Sequence, residues 1–179
     1  CEVDETVTIN ASSTIAGTLD ACVGSTTQLT GSAPVGGSTW SSATLGVATV
    51  DASGEVTGVS AGTSVITYTD GNGCEVDETV TINASSTIAG TLDACIGSTT
   101  QLTGSAPVGG STWSSATLGV ATVDASGEVT GVSAGTSVIT YTDGNGCEVD
   151  ETVTINALPT VTGTLDACIG STTQLTGSA

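Results

Sequence analysis

Residues 111–132, STWSSATLGVATVDASGEVTGV, decide the fold of this chain. Short runs rich in Val and Thr alternate along the chain with Gly, Asp and Asn, roughly every 8 to 12 residues, which is typical of strands joined by turns. No segment shows a sustained apolar period of 3.6 residues, and Val and Thr are poor helix formers. The sequence therefore predicts a β-protein.

Seven strands are predicted in the central part of the chain. They are Thr87–Ala94, Thr99–Thr103, Ser111–Ser114, Val120–Val123, Glu128–Val132, Ser137–Thr142 and Glu148–Ile155. The turn Gly144-Asn145-Gly146 is a hairpin signal, because Asn and Gly tolerate positive φ. Seven short strands of this kind form a small Greek-key sandwich, so the expected fold class is all-β.

The same sequence is written two and a half times. Residues 1–73 recur as 74–146 with one change, Val23 to Ile96, and a third copy opens at Cys147. Near-identical neighbours indicate one folding unit repeated along a line. Because the chain begins inside a repeat and stops inside a strand-like run, we expect it to be a window cut from a longer array.

Domain boundaries are predicted after the strands that open at Cys1, Cys74 and Cys147. Residues 1–10 are then the last strand of a preceding domain, 11–83 and 84–156 are two sandwiches of a 73-residue repeat, and 157–179 begin a further one. Only about four residues separate the last strand of one domain from the first strand of the next. Since so short a connection leaves little freedom, we expect the domains to abut as a rod-like array.

The charge of the chain excludes several functions. It carries 18 acidic residues and no Lys, Arg or His, which gives a net charge of −18. Phosphate neutralisation requires cations, so we expect no nucleic acid as a partner and no binding to anionic membrane surfaces. We also expect no direct membrane insertion, and no apolar run in this window of the chain reaches membrane length. Without His or Lys, a Ser or Thr nucleophile has no ordinary general base, and we expect no enzyme.

Several motifs of the central repeat follow one another in a familiar order. They are Gln101-Leu102-Thr103, Thr112-Trp113-Ser114-Ser115, Val120–Asp124, Gly127–Val132, Ala134-Gly135-Thr136 and Ile139-Thr140-Tyr141. Together they resemble the bacterial immunoglobulin-like group 2 domain, most of all its cysteine-bearing version in giant repetitive surface proteins of Bacteroidetes-type bacteria. The resemblance covers the whole repeat. It implies tandem seven-stranded immunoglobulin-like sandwiches on secreted stalks, adhesins and filaments.

Three functions remain open at this point. The first is a structural shaft repeat of a long extracellular filament or adhesin stalk, whose partners are further copies of itself along the chain. The second is a surface adhesin in which every repeat presents the same weak carbohydrate- or protein-binding site, so that avidity supplies the affinity. The third is lateral self-association into fibres through edge strands. All three place the chain at the cell surface or outside the cell.

The aromatic side chains are expected in the core of each sandwich. Trp40 and Trp113 fall on the third strand, and Tyr68 and Tyr141 fall on the sixth. A Trp at this place in a sandwich is more often a core residue than a stacking platform for a sugar ring.

Calcium is the one cofactor that the sequence suggests as a candidate. In a seven-strand sandwich the turn positions would make Asp20 face Asp124, Asp143 and Asn145 across a domain junction. Carboxylate and amide oxygens are the ligands that Ca²⁺ prefers. Turn chemistry explains the same residues without a metal, because Asp and Asn favour turns.

Six cysteines alternate at spacings of 21 and 52 residues, and an extracellular setting favours their oxidation. The first and last strands of such a sandwich run parallel, so the cysteine that ends the first strand and the cysteine that begins the last lie at opposite poles. A disulfide requires Cα atoms within about 7 Å of each other. This argument predicts an inter-domain bond, Cys22–Cys147.

The remaining cysteines are predicted to pair with neighbouring repeats; they are Cys1, Cys74, Cys95 and Cys168. Pairing within each domain is the alternative, and it would form Cys22–Cys74 and Cys95–Cys147. Bonds between chains and free thiols also stay open.

Overall fold

The structure of the protein is a computed structural model that describes residues 3–33, 36–105 and 109–178. Within these residues all regular structure is β-strand. Val, Thr and Ile make up almost half of the strand residues, because β-branched side chains suit a pleated, half-buried surface. The described part of the chain contains no helix with the length and apolar character that crossing a membrane requires.

The chain divides into two compact units. The first runs to Ser86 and includes Asn145–Cys147, and the second holds Thr87–Gly144 and the chain from Glu148 onward. The strands of the first unit are β1 (Ile15–Gly17), β2 (Asp20–Cys22), β3 (Thr26–Gly31), β4 (Thr39–Ser42), β5 (Ala48–Val50), β6 (Glu55–Gly58), β7 (Gly62–Thr69) and β8 (Glu75–Asn83). Those of the second are β9 (Ile88–Gly90), β10 (Asp93–Cys95), β11 (Thr99–Gly104), β12 (Thr112–Ser115), β13 (Ala121–Val123), β14 (Glu128–Gly131), β15 (Gly135–Thr142), β16 (Glu148–Asn156), β17 (Val161–Gly163) and β18 (Leu175–Gly177).

The first unit is a sandwich of two four-stranded sheets. One has the strand order β1-β3-β6-β5, and the other has the order β2-β8-β7-β4. Both sheets contribute fully buried side chains to one core, which contains Leu29 and Val56 from the first sheet and Ile66, Val80 and Ile82 from the second. The order matches the immunoglobulin sandwich, in which the first, second, fourth and fifth strands form one sheet and the third, sixth and seventh form the other.

The second unit repeats this arrangement. Its sheets have the orders β9-β11-β14-β13 and β10-β16-β15-β12. Its core contains the corresponding side chains, Leu102, Val129, Ile139, Val153 and Ile155. The prediction of all-β, immunoglobulin-like sandwiches is confirmed.

The first strand of each sandwich differs from the prediction, because it is divided between the two sheets. The stretch Thr87–Ala94, predicted as one strand, forms β9, which pairs antiparallel with β11, and β10, which pairs parallel with β16. The chain changes sheets after Gly90, whose φ of +133° suits glycine alone. A Cβ there would lie 2.5 Å from the carbonyl oxygen of Gln101. Each sandwich therefore has eight strand segments where the sequence predicted seven strands.

Identical sequence adopts two conformations in this chain. Residues 3–10 repeat the sequence of β8, yet they form no strand. Val7 and Ile9 are 80% and 86% exposed, whereas their copies Val80 and Ile82 are buried. A strand needs a neighbour to satisfy its backbone and cover its apolar face, so sequence alone does not fix the conformation here. The assignment of these residues to a preceding domain stays a prediction.

The last described segment is a short two-stranded sheet. Strand β17 pairs antiparallel with β18, as β1 pairs with β3 and β9 with β11. Leu165 and Ile169, which follow β17, are exposed, whereas their copies Leu19 and Val23 pack against the first core. The prediction that residues 157–179 begin a further sandwich stays open.

Candidate functional site

A disulfide joins Cys22 to Cys147, with their Cα atoms 5.7 Å apart. Cys22 is the last residue of β2, and Cys147 lies directly before β16. The sequence separation is 125 residues, so the bond connects two successive repeats when these are counted as 11–83 and 84–156. Of the pairings that the sequence left open, this is the one present among the described residues.

The parallel pairing of the divided first strand with the last strand explains this choice. Cys22 lies opposite Asn83, at the end of β8, whereas Cys74 directly precedes the other end. Strand β8 has 9 residues, and it spans about 27 Å at a rise of about 3.3 Å per residue. The pairing of β10 with β16 separates Cys95 from Cys147 in the same way. Both within-domain pairs are therefore beyond the reach of a disulfide.

Three other described cysteines carry free thiols. Cys74 is half-buried, and Cys95 and Cys168 are exposed. Cys1 lies outside the described residues. The pairing of these four with neighbouring repeats stays a prediction.

The backbone at Cys74 is held by a buried aspartate. The Asp70 carboxylate accepts hydrogen bonds from the backbone N–H of Asn72 at 2.8 Å, the N–H of Cys74 at 2.9 Å and the hydroxyl of Ser13 at 2.9 Å. The same hydroxyl donates to the carbonyl of Cys74 at 3.1 Å. The N–H of Cys74, followed by the Ser13 hydroxyl, lowers the pKa of Asp70 below its ordinary value, because these bonds favour the ionised form.

The same anchor recurs at the bonded cysteine. Ser86, the copy of Ser13, donates its hydroxyl to the carbonyl of Cys147 at 2.9 Å. Asp143, the copy of Asp70, is buried, with 4% of its surface exposed. The sequence predicted a turn at both aspartates, but it did not indicate the two serines, which lie 57 or more residues away from their partners. A buried Ser among exposed neighbours is not visible from composition.

A second aspartate closes the turn between β13 and β14. The Asp124 carboxylate accepts hydrogen bonds from the N–H of Ser126 at 2.8 Å, the hydroxyl of Ser126 at 2.7 Å and the N–H of Glu128 at 2.9 Å. The Ser126 hydroxyl is the largest of the causes that lower the pKa of Asp124. The copy at Asp51 makes the same bonds, and its pKa is lowered in the same way.

The four residues considered for calcium lie in three different elements. Asp20 opens β2 and is exposed, Asp124 lies in the turn just described, and Asp143 and Asn145 belong to the turn between β15 and β16. Among the residues that the structure describes, no group of three or more Asp, Glu, Cys or His side chains is arranged to hold a metal ion. Calcium binding stays a prediction. Isothermal titration of the chain with calcium tests it, and an absence of heat would rule it out.

The aromatic residues form one pair in each unit. The rings of Trp40 and Tyr68 lie opposite each other on β4 and β7, with centroids 4.7 Å apart. Tyr68 is buried and donates its hydroxyl to the carbonyl of Ser32 at 2.7 Å, whereas Trp40 is half-buried. The pair Trp113 and Tyr141 has the same geometry, with centroids 4.6 Å apart.

A shallow pocket opens beside each aromatic pair. In the first unit it has a volume of about 330 Å³ and is lined by Thr30, Gly31, Ser38, Trp40, Ala52, Ser53 and Tyr68. In the second unit the corresponding residues line a pocket of the same volume. One indole face edged by hydroxyl groups can accept a small ring by stacking and hydrogen bonding. The pocket carries no acidic or basic side chain.

Two solved structures share this fold. One is the C-terminal 282-residue fragment of intimin in complex with the intimin-binding domain of the translocated intimin receptor. It is 21% identical to this chain, the match covers 86% of this chain and 67% of the fragment, and the TM-score is 0.53. The other is invasin, a bacterial integrin-binding protein, 14% identical over 84% of this chain and 40% of invasin, also with a TM-score of 0.53. At these identities the likeness concerns the fold. No protein family model matches the chain, and no curated protein matches it either.

Proposed function

We propose that this chain is a structural shaft repeat of a long extracellular filament or adhesin stalk. The observation that carries the proposal is the disulfide between Cys22 and Cys147, which ties one repeat to the next. A bond within each sandwich would stabilise single domains, whereas a bond between successive repeats restrains the array. Restraining the array is useful in a protein whose function is to span a long distance.

The energetics favour the same role. A disulfide that closes a loop of 125 residues removes chain entropy from the unfolded state worth about 5 kcal/mol. Small sandwiches with lean cores profit most from such a brace, because a short chain buries a modest share of its apolar surface. We therefore propose the repeat boundaries 11–83, 84–156 and 157 onward, with further copies of the repeat as the principal partners.

The charge of the surface supports a life outside the cell. A net charge of −18 without a single cation makes neighbouring chains repel and stay dispersed. A chain without Lys or Arg also offers trypsin-like proteases no cleavage site. The proposal includes no catalytic role, since the chain has no His or Lys and the residues that line its pockets include no Asp or Glu.

Electron microscopy of the native material tests the proposal. We expect threads one sandwich wide whose stiffness falls when a reductant opens the disulfide. Thicker cables made of several threads would favour lateral self-association into fibres. Short particles without linear order would refute the shaft.

A multivalent adhesin is the second candidate, and the repeated pocket beside Trp40 and Trp113 is the observation that favours it. Identical pockets in successive repeats could add weak carbohydrate contacts into firm adhesion. A glycan array probed with the intact chain tests this function. Binding that is lost in the Ser53→Ala, Ser126→Ala double variant and kept in a Ser41→Ala variant, which alters an exposed hydroxyl outside the pocket, would support it.

A further inference from the structure

The exposed thiol of Cys95 sits in a copy of the setting that holds the bonded Cys22. Cys22 lies opposite Asn83 on the last strand of its sandwich, and Cys95 lies opposite Asn156. The N–H of Cys22 donates to the hydroxyl of Ser25 at 2.8 Å, and that of Cys95 donates to the hydroxyl of Ser98 at 2.8 Å. Bonded and free cysteine therefore share one backbone geometry.

The hydroxyl groups complete the match. Ser25 donates back to the carbonyl of Cys22 at 2.9 Å, and Ser98 donates to the carbonyl of Cys95 at 2.8 Å. Because these hydrogen bonds are the same with and without the disulfide, the bond does not impose the conformation. The loop of Cys95 is already shaped for a bond.

The free thiol of Cys74 matches the other partner, Cys147. The carbonyl of Cys74 accepts a hydrogen bond from Ser13 at 3.1 Å, and the carbonyl of Cys147 accepts one from Ser86 at 2.9 Å. Cys147 is 1% exposed in its bond, whereas Cys74 is half-buried. The surface that Cys74 leaves open corresponds to the surface that the bond covers at Cys147.

We propose that Cys95 bonds to the cysteine that precedes the last strand of the repeat following 84–156, and that Cys74 bonds reciprocally to the second-strand cysteine of the repeat preceding 11–83. The partner is an identical repeat, supplied by a longer chain or by a second copy of this one. In the second case the bond is Cys95 of one copy to Cys74 of the other. This inference deepens the proposed shaft function and rests on it for the presence of a neighbouring repeat.

The bonds form a directional series. Each repeat offers one cysteine to the repeat after it and another to the repeat before it. The contact is head-to-tail, and a head-to-tail contact that does not close into a ring grows without limit. Every junction of the array then carries one disulfide, in addition to the polypeptide backbone where the repeats belong to one chain.

The oxidation uses a low-molecular-weight disulfide as its oxidant. The thiolate of Cys95 attacks one sulfur of that disulfide and releases one small thiol, which leaves a mixed disulfide. The thiolate of the partner cysteine then attacks the sulfur of Cys95 and displaces the second small thiol. Two protein thiols are oxidised, one small disulfide is reduced to two thiols, and the two protein protons pass to the released thiolates.

The first arm of the test supplies the following repeat within the chain. The intact chain is continued past Ala179 with residues 34–83 of this sequence, which completes a third repeat and adds one cysteine. After oxidation and alkylation, peptides are mapped without reduction. We expect Cys95 bonded to the added cysteine beside an intact Cys22–Cys147 bond. Alkylated Cys95, or Cys95 bonded to a cysteine other than the added one or Cys74 of a second copy, overturns the proposal.

A matched variant guards against a folding artefact. In the extended chain with Cys95→Ser, the added cysteine should become alkylated while Cys22–Cys147 persists as the sign of a folded array. If the added cysteine stays protected without Cys95, its partner is another residue and the proposal fails.

The second arm identifies the source of the partner repeat. The unextended chain is oxidised at high concentration with Cys168→Ser and Cys1→Ser, so that Cys74 and Cys95 are the remaining free thiols. A ladder of oligomers joined by Cys95–Cys74 assigns the partner to a second copy. A chain that stays monomeric assigns the partner to the next repeat of a longer chain, and symmetric Cys95–Cys95 links contradict the head-to-tail geometry. Threads seen by microscopy without these bonds would sink this inference alone and leave the shaft function standing.

Discussion

Cys22 lies opposite Asn83 in a parallel strand pair, and this places it at the end of β8 that is remote from Cys74. The nearest cysteine in the repeat is thereby excluded as a partner. The bond that is present runs to Cys147, and it links one repeat to the next when these are counted as 11–83 and 84–156.

Loss of this bond should destabilise the protein strongly. We expect Cys22→Ser to lower the free energy of unfolding by about 2 to 5 kcal/mol, because the unfolded chain regains the entropy that the bond removed. The measurement is the midpoint of urea denaturation. Cys95→Ser is the matched control, since it alters an exposed and unbonded copy of the same residue, and its effect should stay within about 0.5 kcal/mol. Equal effects of the two substitutions would contradict the prediction.

The bond should also reduce the contour length that a pulling force can release from the chain. Residues between Cys22 and Cys147 cannot extend while the bond is intact, and they number about 125. At 3.3 to 3.6 Å per residue this withholds about 400 Å of contour length. Single-molecule stretching of the chain by its two ends, with and without reductant, measures the difference. A contour length that does not respond to the reductant would show that the bond is absent in solution.

Replacing Gly31 should disrupt the packing of Tyr68. A Cβ at Gly31 would lie 2.2 to 2.4 Å from atoms of the tyrosine ring, so Gly31→Ala forces the ring out of the core. We expect a loss of about 1 to 3 kcal/mol or more, as for other overpacked cores. Gly46→Ala is the control, because a Cβ there meets no atom within 4 Å. The measurement is the thermal unfolding midpoint of both variants. If Gly31→Ala unfolds at the same temperature as the unsubstituted protein, the ring of Tyr68 does not lie against Gly31.

The turn aspartates should make stability depend on pH. Hydrogen bonds, led by those from the Ser53 hydroxyl to Asp51, the Cys74 N–H to Asp70 and the Ser126 hydroxyl to Asp124, lower the pKa of these groups below 3.8. A lowered folded-state pKa gives stability that is present above pH 3.8 and is lost as the pH falls through the folded value. We therefore expect the urea midpoint to decrease below about pH 4.

Two variants that each remove one charge test the origin of this dependence. Asp51→Asn should make the acid limb shallower, because it removes one of three aspartates with a lowered pKa. It should also lower the midpoint at neutral pH, since the amide accepts the turn hydrogen bonds less strongly than a carboxylate. Asp20→Asn, at an exposed position, should leave the acid limb in place. A midpoint that rises on acidification in both variants would mean that relief of charge repulsion outweighs these bonds.

The sequence predicted the elements whose signals are local. The strands around Thr112–Ser115 and Glu128–Gly131 and the turn at Gly144 are set by their own residues and by the adjacent Asp and Gly. The division of the first strand was not predicted, because it depends on where the carbonyl of Gln101 lies opposite Gly90. The serines that bond the carbonyls of Cys74 and Cys147, Ser13 and Ser86, were also not predicted, because their partners are distant in the sequence.

Residues 3–10 show most directly how far sequence pattern can predict a strand. They have the sequence of β8 and its alternation of Val and Ile, but they form no strand. Strand formation in this sequence depends on a neighbour that supplies hydrogen bonds and covers the apolar side chains. The sequence pattern alone shows that a segment can form a strand, and a neighbouring strand determines whether it does.

The parallel pairing of β2 with β8 has a mechanical consequence. The chain enters a sandwich through its divided first strand and leaves it after β8. Once the Cys22–Cys147 bond is open, tension on the two ends acts along these strands in opposite directions, and the hydrogen bonds of the three paired positions from Asp20 to Cys22 are sheared together. Antiparallel ends would separate like a zipper, one bond after another. The fold thus places its entrance and exit strands in a geometry that loads their hydrogen bonds in shear.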